Sequence, residues 1–111
     1  MNIITQASEE LILINTFTVE PSRSEELLKI LSEATEEVMR HLPGFISVKL
    51  HVSTDKRHVA NYARWRNMED IKSMMQTPTA QLHMKMAADL AESFQPIYYA
   101  LRESIDVEPL V

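Results

Sequence analysis

The chain has no cysteine and a single glycine among its 111 residues. The first absence excludes disulfides, thiolate nucleophiles, iron–sulfur clusters and cysteine-type zinc sites, and makes the cytoplasm the expected compartment. The second excludes the glycine-rich loops that cradle phosphates, so no nucleotide-type cofactor bound in that way is expected. Positive charge is also scarce. Eleven Lys and Arg against sixteen Asp and Glu leave a formal charge of -5, which opposes a phosphate backbone, so nucleic acid is not an expected partner. No apolar run approaches the roughly 18 residues needed to cross a bilayer, and the opening MNIITQASEE lacks the basic and apolar regions of a leader, so no membrane association is expected.

What is present is a chain in which 45% of residues are hydrophobic. Its length fits one domain, 1–111, with a core over about 10–107 and a frayed N-terminus, 1–9. A domain of this size buries only about two thirds of its unfolded surface, which leaves apolar surface for self-association. Leu11 to Val19 reads as a strand with two rather apolar faces, covered by helices on one side and by a second subunit on the other, and a homodimer is therefore expected. Asn15, on the same face as Phe17, interrupts the apolar pattern.

Ser22 and Glu25 have capping-box spacing before a helix whose stripe is Leu27, Leu31, Ala34, Val38 and Leu42, with Glu33, Glu36, Glu37 and Arg40 outside it. Pro43 and Gly44 stop that helix. A second strand follows from Phe45 to Val52, then a turn at Ser53 to Arg57 and a third strand from His58 to Arg66. Asn67 is placed to cap a helix through Lys72 to Gln76, Thr77 and Pro78 break it, and a further helical segment runs to about Phe94. Pro96 opens a last strand from Ile97 to about Val107. The order is β-α-β-β-α-β, that of a ferredoxin-like α+β fold with a four-stranded antiparallel sheet and its helices on one face.

The richest segment is His51 to Trp65, HVSTDKRHVANYARW. Val59, Asn61, Ala63 and Trp65 share one face by the strand period of two. Asn61 brings one acceptor and two donors, and Trp65 a flat apolar wall with one donor, a combination suited to an aromatic ligand bearing oxygens. A satisfied core amide and a core tryptophan would leave the same pattern. Lys56, Arg57 and His58 read as the solvated tip of the turn. The placement of His51 turns on register: a two- or four-residue turn pairs Leu50 with Asn61, whereas an odd turn or a bulge near Asp55 brings His51 opposite Asn61. Methionines crowd the helical region over the sheet as ordinary gap fillers, with Met74 and Met75, beside the broken helix, best placed to shape an adaptable pocket. Tyr98 and Tyr99 point to opposite faces, so one of the two looks into a helix-covered cavity.

Through LPGF at Leu42 to Phe45, H-x-S-x-D from His51, NYARW at Asn61 to Trp65, AQLHM at Ala80 to Met84 and AESFQPIYY at Ala91 to Tyr99, the chain resembles the antibiotic biosynthesis monooxygenase family over almost its whole length. That resemblance implies paired sheets forming a dimeric α+β barrel. The segment HVSTDKRHVANYARW is most similar to cofactor-independent monooxygenases that oxidise polyketide phenols and anthrones to quinones, which implies a small aromatic partner, molecular oxygen as co-substrate and no cofactor or metal. It implies Asn61, Trp65 and His51 as catalytic residues, with His51 or His83 accepting a proton. Asn15, Phe17, Ile71, Met74 and Met75 are the expected substrate-binding positions. Ile71 stands where those oxidases have a tyrosine, and His83 where they have an arginine. Two alternatives follow: a non-catalytic dimeric module that holds a small molecule in the same cavity, and a haem-degrading monooxygenase, similar here at Asn15 and His83 with Met74 at the position of those enzymes' tryptophan.

Overall fold

A computed structural model describes residues 10–107. The expected N-terminal segment 1–9 lies outside the described residues. Strand β1 spans Leu11–Thr18, helix α1 Ser24–Glu37, β2 Phe45–Val52, β3 His58–Trp65, α2 Met68–Met75, α3 Pro78–Leu90 and β4 Ser93–Ala100. The four strands form one antiparallel sheet in the order β2-β3-β1-β4, which is the ferredoxin-like arrangement.

All three helices pack on the face that carries Leu11, Phe17, Val48, Leu50, Val59, Ala63 and Trp65. Two apolar clusters result. Phe17, Val19, Leu27, Leu31, Val59 and Ala87 form one, and Val38, Ala63, Trp65, Ile71, Met74 and Ala80 the other. The α1 stripe supplies Leu27, Leu31 and Ala34 as expected from its spacing, and Val38 adds to it from the C-cap. The opposite face of the sheet presents Ile12, Ile14, Tyr62, Arg64, Ile97 and Tyr99, because strand neighbours alternate sides. Ile97 and Tyr99 there are exposed.

Several boundaries differ from those expected, among them the end of α3 at Leu90 rather than about Phe94 and that of β4 at Ala100 rather than about Val107. No capping box forms at Ser22: Pro21–Arg23 makes a 3-10 turn, and α1 begins at Ser24, whose hydroxyl donates to the Pro21 carbonyl at 3.0 Å. Helix α1 ends at Glu37 and continues as a second 3-10 turn, Met39–His41, before Pro43 and Gly44. Strand β4 begins at Ser93 and places Pro96 opposite Asn15. Its position at the sheet edge tolerates a proline, which a central strand would not.

Other local signals act as read. Asn67 accepts the Asp70 N–H at 3.0 Å and caps α2, and the break read at Thr77 and Pro78 separates α2 from α3, which Pro78 itself opens. Gly44 has φ +84°, and a Cβ there would lie 2.2 Å from Asp70 Oδ2, so glycine is required both by conformation and by space.

Candidate functional site

The β2–β3 connection sets the register of the site. Ser53 and His58 close a four-residue loop: the Ser53 N–H donates to the His58 carbonyl at 2.9 Å, while the Ser53 hydroxyl accepts the His58 N–H at 2.9 Å. Asp55 anchors the turn by accepting from the Ser53 hydroxyl at 2.7 Å and the Arg57 N–H at 2.9 Å. These bonds, that from the Ser53 hydroxyl first, hold its carboxyl below the usual aspartate range. The even loop pairs Leu50 with Asn61 and His51 with Ala60. His51 is therefore exposed and on the face away from the helices, which removes it from the site. The bulge that does occur in β2 lies between Phe45 and Ser47, too far along the strand to turn His51 inward.

Asn15 on β1 lies directly opposite Asn61 on β3. The flanking pairs on the same face are Phe17 with Val59 and Leu13 with Ala63, so the two carboxamides sit between the two apolar clusters. Both Oδ1 atoms are buried without a hydrogen-bond partner. Native interiors rarely leave such atoms unpaired, since each costs about 1–3 kcal/mol.

Above the pair lies a cavity of ≈ 420 Å³ with a mainly apolar lining. It exists because the residues facing it from the helices and β3 include Ala34, Ala63, Ala87 and Ala88, which are too small to close the gap between sheet and helices. This volume lies in the range of sites for small organic molecules. Trp65, 1% exposed, forms part of the wall and meets the edge of Phe45 at a centroid distance of 5.3 Å and an angle of 78°. That T-shaped contact fixes the indole plane. Met74 and Met75 line the cavity from α2, as do Phe17 from β1 and His83 from α3.

Asn15, Asn61, Trp65, His83, Phe17, Met74 and Met75 thus converge on one cavity, and His51 and Ile71 do not. Ile71 is fully buried among Val38, Trp65 and Met74, behind the cavity wall, because the spacing of α2 turns it toward the core. Tyr98, rather than Tyr99, faces the cavity, and its hydroxyl approaches Met75 Sδ at 3.6 Å. Lys85, Gln81 and Thr35 also reach the lining and were not singled out in the sequence. The signal for them was the run of alanines at 34, 87 and 88, which marks inner helix faces that do not fill their space.

His83 is held by its own helix. Its Nδ1 lies 2.9 Å from the Thr79 carbonyl, and its Nε2 lies 3.9 Å from Glu37 Oε1 on α1. Among the described residues no cluster of three or more His, Asp or Glu is placed to hold a metal ion. No described helix is long and apolar enough to cross a membrane.

Comparison with known proteins places this geometry. The family described as antibiotic biosynthesis monooxygenase matches residues 11–86. Tetracenomycin-F1 monooxygenase of Streptomyces glaucescens is 34% identical over 104 residues, 94% of this chain and 92% of that protein. Among solved structures, a Streptomyces coelicolor monooxygenase in complex with nanaomycin D superposes with a TM-score of 0.83 at 22% identity, covering 95% of this chain and 98% of the other. SnoaB, a cofactor-independent oxygenase from Streptomyces nogalater, gives 0.78 at 19% identity over 87% and 97% of the two chains. By the family match and the identity to its Streptomyces glaucescens relative, the chain belongs to the antibiotic biosynthesis monooxygenase family.

Proposed function

We propose that this protein is a cytoplasmic, homodimeric monooxygenase that oxidises a phenolic, anthrone or quinol-like aromatic with O₂ and without a cofactor. The observation that carries the reading is the Asn15–Asn61 pair: two buried carboxamide oxygens, unpaired in the protein, on the floor of an apolar cavity walled by Trp65. A planar aromatic would stack against the indole and offer its oxygens to the pair. Each carboxamide has one acceptor for a hydroxyl proton and two N–H donors for a carbonyl or phenolate oxygen.

The chemistry needs an electron-rich anion. His83 accepts the substrate's hydroxyl proton, and the carboxamide donors stabilise the charge left on oxygen where the surroundings exclude water. The carbanion form of that anion then reduces O₂. One oxygen atom remains in the quinone and the other leaves as water. Asn61 and Trp65 are the catalytic residues in this reading, with Asn15, Phe17, Met74 and Met75 shaping the substrate site.

The relatives support the reaction class, since one is named for oxidising tetracenomycin F1 and another is described as a cofactor-independent oxygenase. The lack of cysteine supports the compartment. The apolar sheet face bearing Ile12, Ile14, Ile97 and Tyr99 supports the dimer. The test is isotopic. Purified protein given an anthrone under ¹⁸O₂ should yield a quinone carrying one ¹⁸O atom, at a rate that Asn61→Ala reduces at least tenfold. Labelled product formed at the same rate by both proteins would refute the site.

A further inference from the structure

The chain's four histidines are not alike: His41, His51 and His58 are exposed, and His83 alone lines the cavity, with its side chain 17% exposed. Its ring nitrogens have separate partners. The Thr79 carbonyl, 2.9 Å from Nδ1, can only accept, so Nδ1 carries the proton and the neutral ring keeps its lone pair on Nε2. Facing Nε2 at 3.9 Å is Glu37 Oε1, on the last residue of α1, with its side chain 65% exposed.

The geometry points to Glu37 as a positioning residue for the cavity base, and this rests on the monooxygenase reading above. The Thr79 carbonyl holds the neutral ring, and the Glu37 carboxylate, facing Nε2 across the gap between α1 and α3, stabilises and orients the imidazolium formed when Nε2 takes the substrate proton. In that step the substrate O–H bond breaks, an N–H bond forms at Nε2, and the electron pair stays on the substrate oxygen. The exposed carboxylate also marks the way out: the imidazolium returns its proton to bulk water beside Glu37.

Other charged or titratable groups near the ring do not replace this partner. Lys85, on the same helix, lines the cavity, but its Nζ is bonded to Asp89 Oδ2 at 2.8 Å. On α1, Glu36 is engaged by Arg40 at 2.6 Å. From β4 the cavity receives Tyr98, whose hydroxyl is directed to Met75, and α2 contributes only the uncharged Met74 and Met75.

The test has two readouts on the intact chain. Long-range ¹⁵N–¹H NMR of His83 should show the Nδ1–H tautomer, and in Glu37→Gln the Nε2 resonance should shift while Nδ1 stays protonated. An unmoved Nε2 resonance overturns the pairing. The split between kcat and KM in oxygen uptake with an anthrone is the second readout. In Glu37→Gln kcat should fall about twofold with KM unchanged, because the imidazolium formed as the proton transfers loses its countercharge. Glu37→Asp should restore part of both. Uptake with kcat unchanged in Glu37→Gln overturns the role of Glu37 alone, whereas no uptake by the wild-type protein overturns the monooxygenase reading and the substrate step together.

Discussion

Replacing Asn61 by leucine should make the protein more stable and less able to bind its substrate. Asn61 Oδ1 is buried without a partner, and so is Asn15 Oδ1 directly across the ladder. Each unpaired acceptor costs about 1–3 kcal/mol in the folded state, a cost absent when an apolar side chain of similar shape takes its place. Leucine is somewhat larger than asparagine, but the adjoining cavity of ≈ 420 Å³ can receive the excess without overpacking. The strand preference of leucine over asparagine acts in the same direction. A net gain of about 1–2 kcal/mol is expected, near the lower half of the range because the fit is imperfect. For a domain of this size each 1 kcal/mol raises Tm by about 4–8 °C. The assay is calorimetric unfolding of wild type, Asn61→Leu, Asn15→Leu and the double variant at one protein concentration, since association shifts Tm by mass action. The double variant should not equal the sum of the singles, because the two side chains are neighbours. If both single variants melt at or below the wild-type temperature, the two carboxamides are not a stored cost, and the argument that they await a ligand fails.

Three further outcomes follow from other parts of the fold. Gly44→Ala should destabilise by about 2–3 kcal/mol in urea melts, combining the left-handed backbone penalty with displacement of Asp70, whose carboxylate binds Arg66 at 2.8 Å; a loss below 0.5 kcal/mol, on the order of an ordinary surface change, would contradict it. Glu10 accepts from Arg64 at 2.5 and 3.0 Å, and that hydrogen bonding holds its carboxyl below the ordinary 4.5. Its stabilisation is present above the ordinary value and is lost as pH falls through the lowered one, so Glu10→Gln should lose less stability than wild type between about pH 5 and 3, by a few tenths of a kcal/mol for so exposed a pair. If the proposed dimer forms through the sheet face away from the helices, Tyr99→Glu should sediment nearer to monomer than wild type at micromolar concentration, and equal sedimentation of the two would contradict that interface.

Strand alternation, the α1 stripe, the Asn67 cap and the helix break at Thr77 and Pro78 were legible because each is a local property of a few residues. They were enough for the ferredoxin-like order. The inward face of β3, with Asn61 and Trp65, was legible for the same reason. His51 was not, because its direction depends on whether the loop at residue 53 has an even or odd length, and the Ser53 hydroxyl settles that by standing in for a backbone acceptor. Ile71 was misplaced because an alignment position says nothing of which side of Trp65 a helix residue packs. The start of β4 was hidden by Pro96, which reads as a strand boundary until the edge position of β4 is known. The pairing of Asn15 with Asn61 and that of His83 with Glu37 are tertiary, linking residues 46 apart in both cases, and no local pattern reports them.

The central claim is that this cavity oxidises an aromatic substrate with O₂ and no cofactor. Oxygen consumption by the purified, chelator-treated protein, offered an anthrone and a dihydroxynaphthalene beside Asn61→Ala, tests it most directly. The account predicts uptake by the wild-type protein that persists with chelator and is largely lost in the variant. Binding of these aromatics with no oxygen consumed would contradict it and leave the chain a small-molecule-binding module.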